Sequence, residues 1–445
     1  MPLRNFVGIA LAVIISAACF FASSKNRYAI LFAEALQVVD REALEVVGRR
    51  ALFDAAIDGM LGTLDENSEY FSGQNFTAFD ENMHQQFGGV GMYVAVDPKT
   101  TELVVLAAMP NTPAAKAGLQ SGDAILAIDG QSTLGKTRED AIKLMRGLKG
   151  APVTLQIRHL GETRDVILLR DFIKVDSVHG DWLNSDGNWD FALRDQPHIG
   201  YVRVSQFGDR TANEFRAALQ KMNGHVDCLI VDLRLNSGGL LDSAVSICSM
   251  FLPRGKMVVE IRSRVEGNDK IDTNEAAIFP ADMPVVVLIN RHSASASEIV
   301  AACLQDHGRA TIIGERSYGK GTVQNVIPLE RGRSAIKLTT ASYWRPNGVN
   351  IDKHHAARHK LEQWGVSPNP GFGFELTEED IFQEARQRNA KDLEGIRHGA
   401  PTPAEDPLVE VSPSGDDVPT KPFVDLPLQK AIEFLLSKIG KPIAT

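Results

Sequence analysis

The stretch MPVVVLINRHSASASEIVAACLQD, residues 283–306, places a strand, a sharp turn and a helix directly after one another. The five consecutive aliphatic residues 285–289 show no polar alternation, which is typical of a strand buried on both faces. After the serines, apolar residues continue at helical spacing as far as Asp306. The stretch therefore predicts a βα unit whose turn lies at the carboxyl edge of a sheet, where α/β proteins form their sites.

The same alternation extends to both sides of this stretch. Strand-like segments occur at 199–207, 226–235, 283–290 and 310–315, and helix-like segments separate them at 212–222, 240–251 and 297–306. Strands that alternate with helices form βαβ units, so we expect a mainly parallel sheet covered by helices on both faces. The predicted fold class is α/β, in a chain whose 445 residues indicate two or three domains.

The composition is ordinary for a globular protein, with 44% hydrophobic and 23% charged residues. A net charge of −9 and the lack of a long basic run disfavour a nucleic-acid-binding surface. The four cysteines are Cys19, Cys228, Cys248 and Cys303. The last three lie in apolar segments without the spacing of metal ligands, so we expect buried free thiols and no disulfide framework.

The N-terminus has the pattern of a targeting segment. Arg4 precedes a mostly apolar run at 6–22, and polar residues with Lys25 follow. Residues 1–24 therefore predict a signal peptide or a short signal anchor, with cleavage and anchoring both left open. We expect an exported protein, located in the periplasm or on the extracytoplasmic face of a membrane.

Composition divides the rest of the chain into five parts. We expect a helical region at 25–86, a small domain of short strands and two helices at 87–174, the βα core at 175–380, a polar proline-rich linker at 381–424 and an amphipathic helix at 425–445. Within the small domain, 152–159 and 163–170 predict a hairpin across Leu160-Gly161-Glu162.

The three alternating serines allow two interpretations. Ser295 and Glu298 fit the capping box S-x-x-E, in which Ser295 only caps the helix. The alternative is a nucleophile, because a helix start offers free backbone N–H groups and a positive dipole end to a developing oxyanion.

A nucleophilic serine needs a base, and the histidines are poor candidates. His354, His355 and His359 lie in a polar segment without a companion motif for a triad or a metal. His292 is a near neighbour of the serines, and its side chain is expected to point away from them.

Lys320 is the better candidate for the base. It lies between Gly319 and Gly321, and a lysine can act as a base when burial favours its neutral form. The rival interpretation is a phosphate-binding loop that starts at Gly314. That loop needs Ser or Thr after the lysine and then a helix, whereas this chain has Gly321 and strand-like residues.

A second glycine turn, VDLRLNSGG at 231–239, also connects a buried strand to a helix. In a neighbouring βαβ unit it could direct a backbone N–H group to the same point as the serines. Ordinary turn chemistry explains the glycines equally well.

Taken together, SASASEI, GKGTVQ and DLRLNSGG resemble the motifs of the C-terminal processing peptidases, also called tail-specific proteases, over residues 40–380. The resemblance implies a crotonase/ClpP-like α/β peptidase core with an inserted PDZ domain and N-terminal helices. It also implies Ser295 as the nucleophile, Lys320 as its base and Gln324 as the residue that holds the lysine.

For the oxyanion, the resemblance implies the backbone N–H groups of Ala296 and Gly238, with Gly239 as the lesser alternative. The implied activity is serine endopeptidase cleavage near protein C-termini, without a metal or cofactor. The implied partners are protein or peptide substrates with free, apolar C-termini. An activating adaptor, membrane anchoring by the N-terminal segment and an oligomer are further expectations.

Residues 87–174 resemble the PDZ domain of that family. PDZ domains bind a peptide C-terminus as an added strand, and the matching carboxylate loop is Val90-Gly91-Met92. Arg146 matches an arginine that couples this domain to the protease site. Two alternatives belong to other classes: a PDZ-containing adaptor without catalysis, and a crotonase-like acyl-transfer enzyme. Neither accounts for the Ser295, Lys320 and Gln324 set.

Overall fold

The computed structural model describes residues 14, 16, 27–97, 100–184, 188–394 and 423–441. The chain divides into two compact units, Met1–Phe76 with Gln324–Thr339 and Thr77–Val323 with Thr340–Thr445. Apart from residues 14 and 16, the predicted targeting segment lies outside the described residues, as does the predicted linker from 395 to 422. In the described part, no helix has the length and apolarity needed to cross a bilayer.

The first unit combines N-terminal helices with strands from two parts of the chain. Its N-terminal elements are α1 (Arg27–Glu42), α2 (Arg49–Leu61), β1 (Glu69–Ser72) and the start of α3 (Gln74–Met83), and its second segment, Gln324–Thr339, contributes most of one strand and the start of the next. The helices were predicted, whereas β1 was not. β1 pairs antiparallel with residues 334–337, a partner far away in the sequence, so no local pattern marks it.

The small domain contains a six-stranded sheet and a separate antiparallel pair formed by its first and last strands. The elements are β2 (Gln86–Gly89), β3 (Met92–Val96), β4 (Leu103–Ala108), α4 (Pro113–Lys116), β5 (Ala124–Ile128), β6 (Gln131–Ser132), α5 (Arg138–Met145), β7 (Pro152–His159), β8 (Glu162–Leu169) and β9 (Asp171–Lys174). The sheet order is β3-β4-β5-β7-β8, which leaves β3 at an edge within the described chain. The β7–β8 hairpin is paired throughout, as the sequence predicted. Leu160 and Gly161 in its turn have positive φ.

The remaining elements form the core and the C-terminal part. They are β10 (Val178–His179), β11 (Trp182–Leu183), β12 (Trp189–Asp190), β13 (Ala192–Leu193), β14 (Gln196–Val204), α6 (Thr211–Met222), β15 (Cys228–Asp232), α7 (Leu241–Phe251), β16 (Met257–Ser263), β17 (Gly267–Asp272), β18 (Val285–Ile289), α8 (Ala296–Asp306), β19 (Thr311–Gly314), β20 (Thr322–Leu329), β21 (Ser334–Trp344), α9 (Lys353–His359), α10 (Glu378–Glu394) and α11 (Leu426–Ile439).

The core sheet confirms the predicted βαβ architecture. β14, β15, β18 and β19 are adjacent and parallel. Every side chain of β15 and β18 is buried, because α6, α7 and α8 pack against one face and α11 against the other. The carboxyl ends of these strands therefore share one edge, which presents the turns after β15 and β18 side by side.

Two further predictions can be compared with the structure. Cys228, Cys248 and Cys303 are buried free thiols, as predicted. The expected linker at 381–424 is wrong for its first part, because 381–394 belong to α10. This helix is highly charged, but Glu384 and Arg388 form ion pairs with Arg234 and Asp232 of the core. Its polar composition therefore did not indicate a linker.

Candidate active site

The turn after β18 places Ser295 at the start of α8 in a rare backbone conformation. Its φ of 54° and ψ of −113° lie outside the extended region that an N-cap residue normally adopts. Strained non-glycine residues of this kind concentrate at functional sites, where the surrounding structure holds them in place. Ser295 is half-buried, while Ala294 and Ala296 on either side are buried.

The flanking serines have structural hydrogen bonds. The hydroxyl of Ser293 donates to Leu233 O at 2.8 Å, and that of Ser297 donates to Asn236 O at 2.8 Å. Both side chains are fully buried. The two flanking hydroxyls therefore join the serine turn to the loop after β15, which distinguishes them from Ser295.

The glycines of the loop after β15 allow this close approach. A methyl group on Gly238 would lie 2.8 Å from Ser295 Cβ, 2.8 Å from Ala294 O and 3.0 Å from Ala296 N. Gly238 also has a φ of +106°. Only glycine fits this position without moving its neighbours. The structure thus brings Ser295, Ala296 and Gly238 together.

Asn236 shapes the same loop from within. Its side-chain amide donates to Val204 O at 2.8 Å, and its Oδ1 accepts the Gly238 N–H at 2.9 Å. The predicted oxyanion donor at Gly238 is therefore hydrogen-bonded within its own loop in this structure. The Ala296 N–H is the first of α8 and belongs to the helix start, where backbone donors lack intrahelical acceptors.

Glu298 connects the serine turn to the loop that carries Lys320. Its fully buried carboxylate accepts the Ser295 N–H at 2.9 Å and the Lys320 N–H at 2.8 Å, both at Oε2. Oε1 accepts the Ser317 hydroxyl at 2.5 Å and the Gly319 N–H at 2.7 Å. One carboxylate thus fixes the backbones on which both predicted reactive side chains are mounted.

Burial raises the pKa of Glu298 to about 7, against the lowering effect of its four hydrogen bonds. The folded protein therefore retains a proton that the unfolded chain releases near the usual glutamate value of 4.5. Retaining more protons in the folded state makes stability fall as pH rises through this window.

We expect Glu298→Gln to remove this contribution. The wild-type free energy of unfolding, relative to that of the variant, should fall by on the order of 3 kcal/mol between pH 4.5 and 7 and then level off. Urea unfolding at closely spaced pH values measures it, with Glu162→Gln in the exposed hairpin turn as the control. A difference that stays constant with pH would contradict the buried, proton-retaining state.

Lys320 itself is half-buried in a tightly packed glycine loop. A methyl group on Gly319 would lie 2.7 Å from the ring of Trp364, and one on Gly321 would lie 2.1 Å from Asp352 N. The strand β20 follows directly, as the sequence predicted when it excluded a phosphate-binding loop.

Gln324 belongs to the first compact unit. There its amide donates to Thr339 Oγ1 at 3.1 Å, and the Thr339 hydroxyl donates to Asp65 Oδ1 at 3.0 Å. The predicted contact between Gln324 and Lys320 stays a prediction.

The predicted peptide-binding residues lie at one end of the small domain. Val90 and Gly91 turn their carbonyls inward to Ala114 N and Met109 N, at 2.9 and 3.0 Å, and Met92 begins the edge strand β3. Gly91 has a φ of +76°, and a methyl group there would lie 2.4 Å from the Thr112 side chain.

Arg146 caps the C-terminal end of α5. Its guanidinium lies 4.5 Å from the ring centre of Phe87 and 3.9 Å from Glu81 Oε2. Glu81 belongs to α3, which precedes the small domain, and Phe87 belongs to β2. The coupling role of Arg146 stays a prediction.

Sequence reasoning missed two residues that hold the site. Glu298 was considered only as a capping residue. The capping-box motif predicts its hydrogen bond from the Ser295 N–H, but not the bonds that it accepts from the loop of Lys320. Asn236 was quoted as part of the glycine turn at 231–239, and no role was assigned to it. Their other partners come from loops distant in sequence, so no local spacing identifies them.

Comparison with known proteins places these motifs in context. The model of peptidase family S41 matches residues 198–369, and a PDZ domain model matches 104–159. The carboxy-terminal-processing protease of Bartonella bacilliformis is 37% identical over 339 residues, which cover 74% of each chain. The carboxyl-terminal-processing protease of Synechocystis sp. is 33% identical over 343 residues, covering 76% of this chain and 74% of that protein.

Among solved structures, the photosystem II D1 C-terminal processing protease is 30% identical, with a TM-score of 0.43. The match covers 78% of this chain and 92% of that one.

Proposed function

Because the chain belongs to peptidase family S41, as a serine-type carboxy-terminal processing protease with a PDZ domain, we propose that Ser295 and Lys320 perform the cleavage. The observation that carries this assignment is the position of Ser295. It is the strained, half-buried serine at a helix start, it lies against Gly238, and Glu298 ties its backbone to that of Lys320.

The proposed chemistry proceeds through an acyl-enzyme. Ser295 Oγ attacks the scissile carbonyl carbon while neutral Lys320 takes the hydroxyl proton. The resulting oxyanion accepts hydrogen bonds from the N–H groups of Ala296 and Gly238, and each such donor contributes about 3 kcal/mol in comparable sites. To reach the oxyanion, the Gly238 N–H breaks its hydrogen bond to Asn236 Oδ1 and donates to the oxyanion instead.

The tetrahedral intermediate then collapses and the peptide C–N bond breaks. Protonated Lys320 transfers its proton to the leaving amine, which departs with the C-terminal fragment. A water molecule, deprotonated by Lys320, attacks the ester carbonyl, and the same proton returns to Ser295 Oγ as the new carboxylate leaves. Gln324 orients the lysine amine throughout.

The PDZ domain supplies substrate selection. The open edge of β3 lies beside α5, an arrangement that suits addition of an extended peptide as a further strand. The loop Val90-Gly91-Met92 lies at the start of that strand and receives the terminal carboxylate. The chemistry of this site favours a free C-terminus with apolar side chains. Arg146 couples peptide binding at the PDZ domain to the protease core.

We place the enzyme outside the cytoplasm. The support is the sequence pattern of residues 1–24, a charged start followed by an apolar run. A retained segment would tether the protein to the membrane, and an activating adaptor or a second subunit would act on the extracytoplasmic side.

Product analysis tests the proposed function. Protein lacking residues 1–24 is incubated with an unfolded substrate that ends in apolar residues, and the fragments are identified by mass spectrometry. We expect internal cuts close to the C-terminus. Amidation of the terminal carboxyl should lower kcat/KM about tenfold, since charge-assisted contacts to the carboxylate are lost.

Two outcomes would contradict this proposal in different ways. Binding of the peptide without any cut would favour the adaptor alternative. Equal cleavage of the free and amidated substrates would remove the PDZ domain from C-terminus recognition and leave the peptidase chemistry intact.

A further inference from the structure

A cluster of buried charges lies behind the loop that carries Gly238. Its members come from β15 and the residues after it, from α10, and from the start of α11; they are Asp232, Arg234, Glu384, Arg388 and Asp425. The side chains of Asp232, Arg234 and Glu384 are at most 4% exposed. Those of Arg388 and Asp425 are 11% and 16% exposed. α10 and α11 lie beyond the stretch that matches the peptidase family model.

Arg234 is the centre of the cluster. Its two terminal nitrogens donate to the Asp425 carboxylate at 2.8 and 2.9 Å in a bidentate pair. Its Nε lies 2.9 Å from Glu384 Oε1, and its side chain also donates to Asp232 at 2.7 Å. Bidentate pairing fixes the plane of the guanidinium as well as its position.

Asp232 receives the remaining donors. The Tyr201 hydroxyl donates to its Oδ2 at 2.8 Å and Arg388 donates at 2.6 Å. Burial alone would raise the pKa of Asp232, but Arg234 and Arg388 hold it below its usual range. Removing one partner from a buried charge network leaves another charge uncompensated, so each member constrains the rest.

Arg234 also belongs to the loop at the active site, which begins at Leu233 directly after β15. Leu235, the next residue, has a φ of 59°, and its N–H donates to Asn290 Oδ1 at 3.0 Å. Asn236 then accepts the Ala294 N–H at 3.0 Å and holds the Gly238 N–H through its side chain. A shift of the Arg234 backbone would therefore be passed to Gly238 within four residues.

Asp425 both pairs with Arg234 and caps the N-terminus of α11. Its Oδ1 accepts the Leu428 N–H at 3.0 Å and so caps the helix. Ala431, Leu435 and Leu436 of that helix are buried against the sheet. The helix thus delivers a carboxylate to Arg234 from 191 positions further along the chain.

We propose that Asp425 is a positioning residue for the oxyanion loop, which it holds through the Arg234 guanidinium. The C-terminal helix α11 would then contribute to the geometry of the peptidase site through the carboxylate at its N-cap. The proposal rests on the proposed function of Ser295 and Gly238, and it adds a determinant of transition-state stabilisation that the family motifs do not contain.

Asp425→Asn tests it with little change in shape. Asparagine is an equally good N-cap residue, so α11 keeps its cap while the charge paired with Arg234 is lost. We expect kcat to fall about tenfold with KM unchanged, since the loop acts on the transition state. Asp425→Glu, which restores the charge, should recover most of the activity.

Lys441→Gln is the matched control. Lys441 follows α11 and pairs with Asp227 at 2.7 Å, away from the loop. It should retain wild-type kcat. If Asp425→Asn does not fold, as judged by circular dichroism, Asp425→Ser serves instead, because serine also caps helices and lacks the charge.

A second readout separates positioning from stability. A peptide boronate forms a tetrahedral adduct that needs the oxyanion donors, so its inhibition constant should rise about tenfold in Asp425→Asn. The affinity of uncut peptide should be equal in Ser295→Ala and in Ser295→Ala with Asp425→Asn. Unchanged kcat and unchanged boronate inhibition in the folded variant would overturn the proposal. Absence of cleavage by the wild type would instead overturn the proposed function.

Discussion

Ser295→Ala is expected to lower kcat/KM by at least about 10⁴-fold while the protein stays folded. The hydroxyl is the proposed nucleophile, and nucleophiles of serine peptidases act as a unit with their base, so removal of one member abolishes most of the chemistry. The side chain is half-buried and small, so its truncation leaves the packing of α8 in place. Steady-state cleavage of a fluorogenic peptide and a thermal unfolding curve measure both quantities.

Ser293→Ala and Ser297→Ala are matched controls in the same turn. Each variant leaves a buried backbone carbonyl without its hydroxyl donor, at Leu233 or at Asn236. We expect a loss of about 1 to 2 kcal/mol in stability from each, with cleavage of the peptide still readily measurable. Loss of all activity in one control, together with an active Ser295→Ala enzyme, would move the nucleophile to that serine.

Lys320→Ala is expected to lower kcat by between about 10² and 10⁴-fold with little effect on peptide affinity. A general base contributes a factor of this size to a proton transfer. Only the neutral amine accepts a proton, so wild-type activity should rise with pH. Protonation of Glu298 below about pH 7 acts in the same direction, because its protonated carboxyl is a weaker acceptor for the Ser295 and Lys320 N–H groups.

Lys270→Ala, in the exposed strand β17, is the control for this substitution and should behave like the wild type. EDTA should leave wild-type cleavage unchanged, because the mechanism uses no metal. Activity that a chelator removes and zinc restores would count against the Ser–Lys assignment, as would full activity in Lys320→Ala.

The sequence by itself determined the parallel core and the PDZ-like domain. Unbroken aliphatic runs such as 285–289 are typical of a strand buried on both faces, and the hairpin around Gly161 follows from local alternation and turn chemistry. These features depend on residues that are close together in the chain. The motifs around Ser295 and Lys320 also indicated the family, through their resemblance to the motifs of C-terminal processing peptidases.

Only the tertiary structure decided how the three serines differ and what supports them. Ser293 and Ser297 have the same local pattern as Ser295, but their hydroxyls bond to a loop that begins at Leu233, far away in sequence. The capping box of Ser295 and Glu298 is present, but Glu298 also accepts hydrogen bonds from the loop of Lys320 at both of its carboxylate oxygens. Part of the charged helix α10 was predicted to be a linker, because the partners of its buried charges, Asp232 and Arg234, lie far away in the sequence. Each of these depends on long-range hydrogen bonds and ion pairs, whose partners folding brings together and sequence spacing does not record.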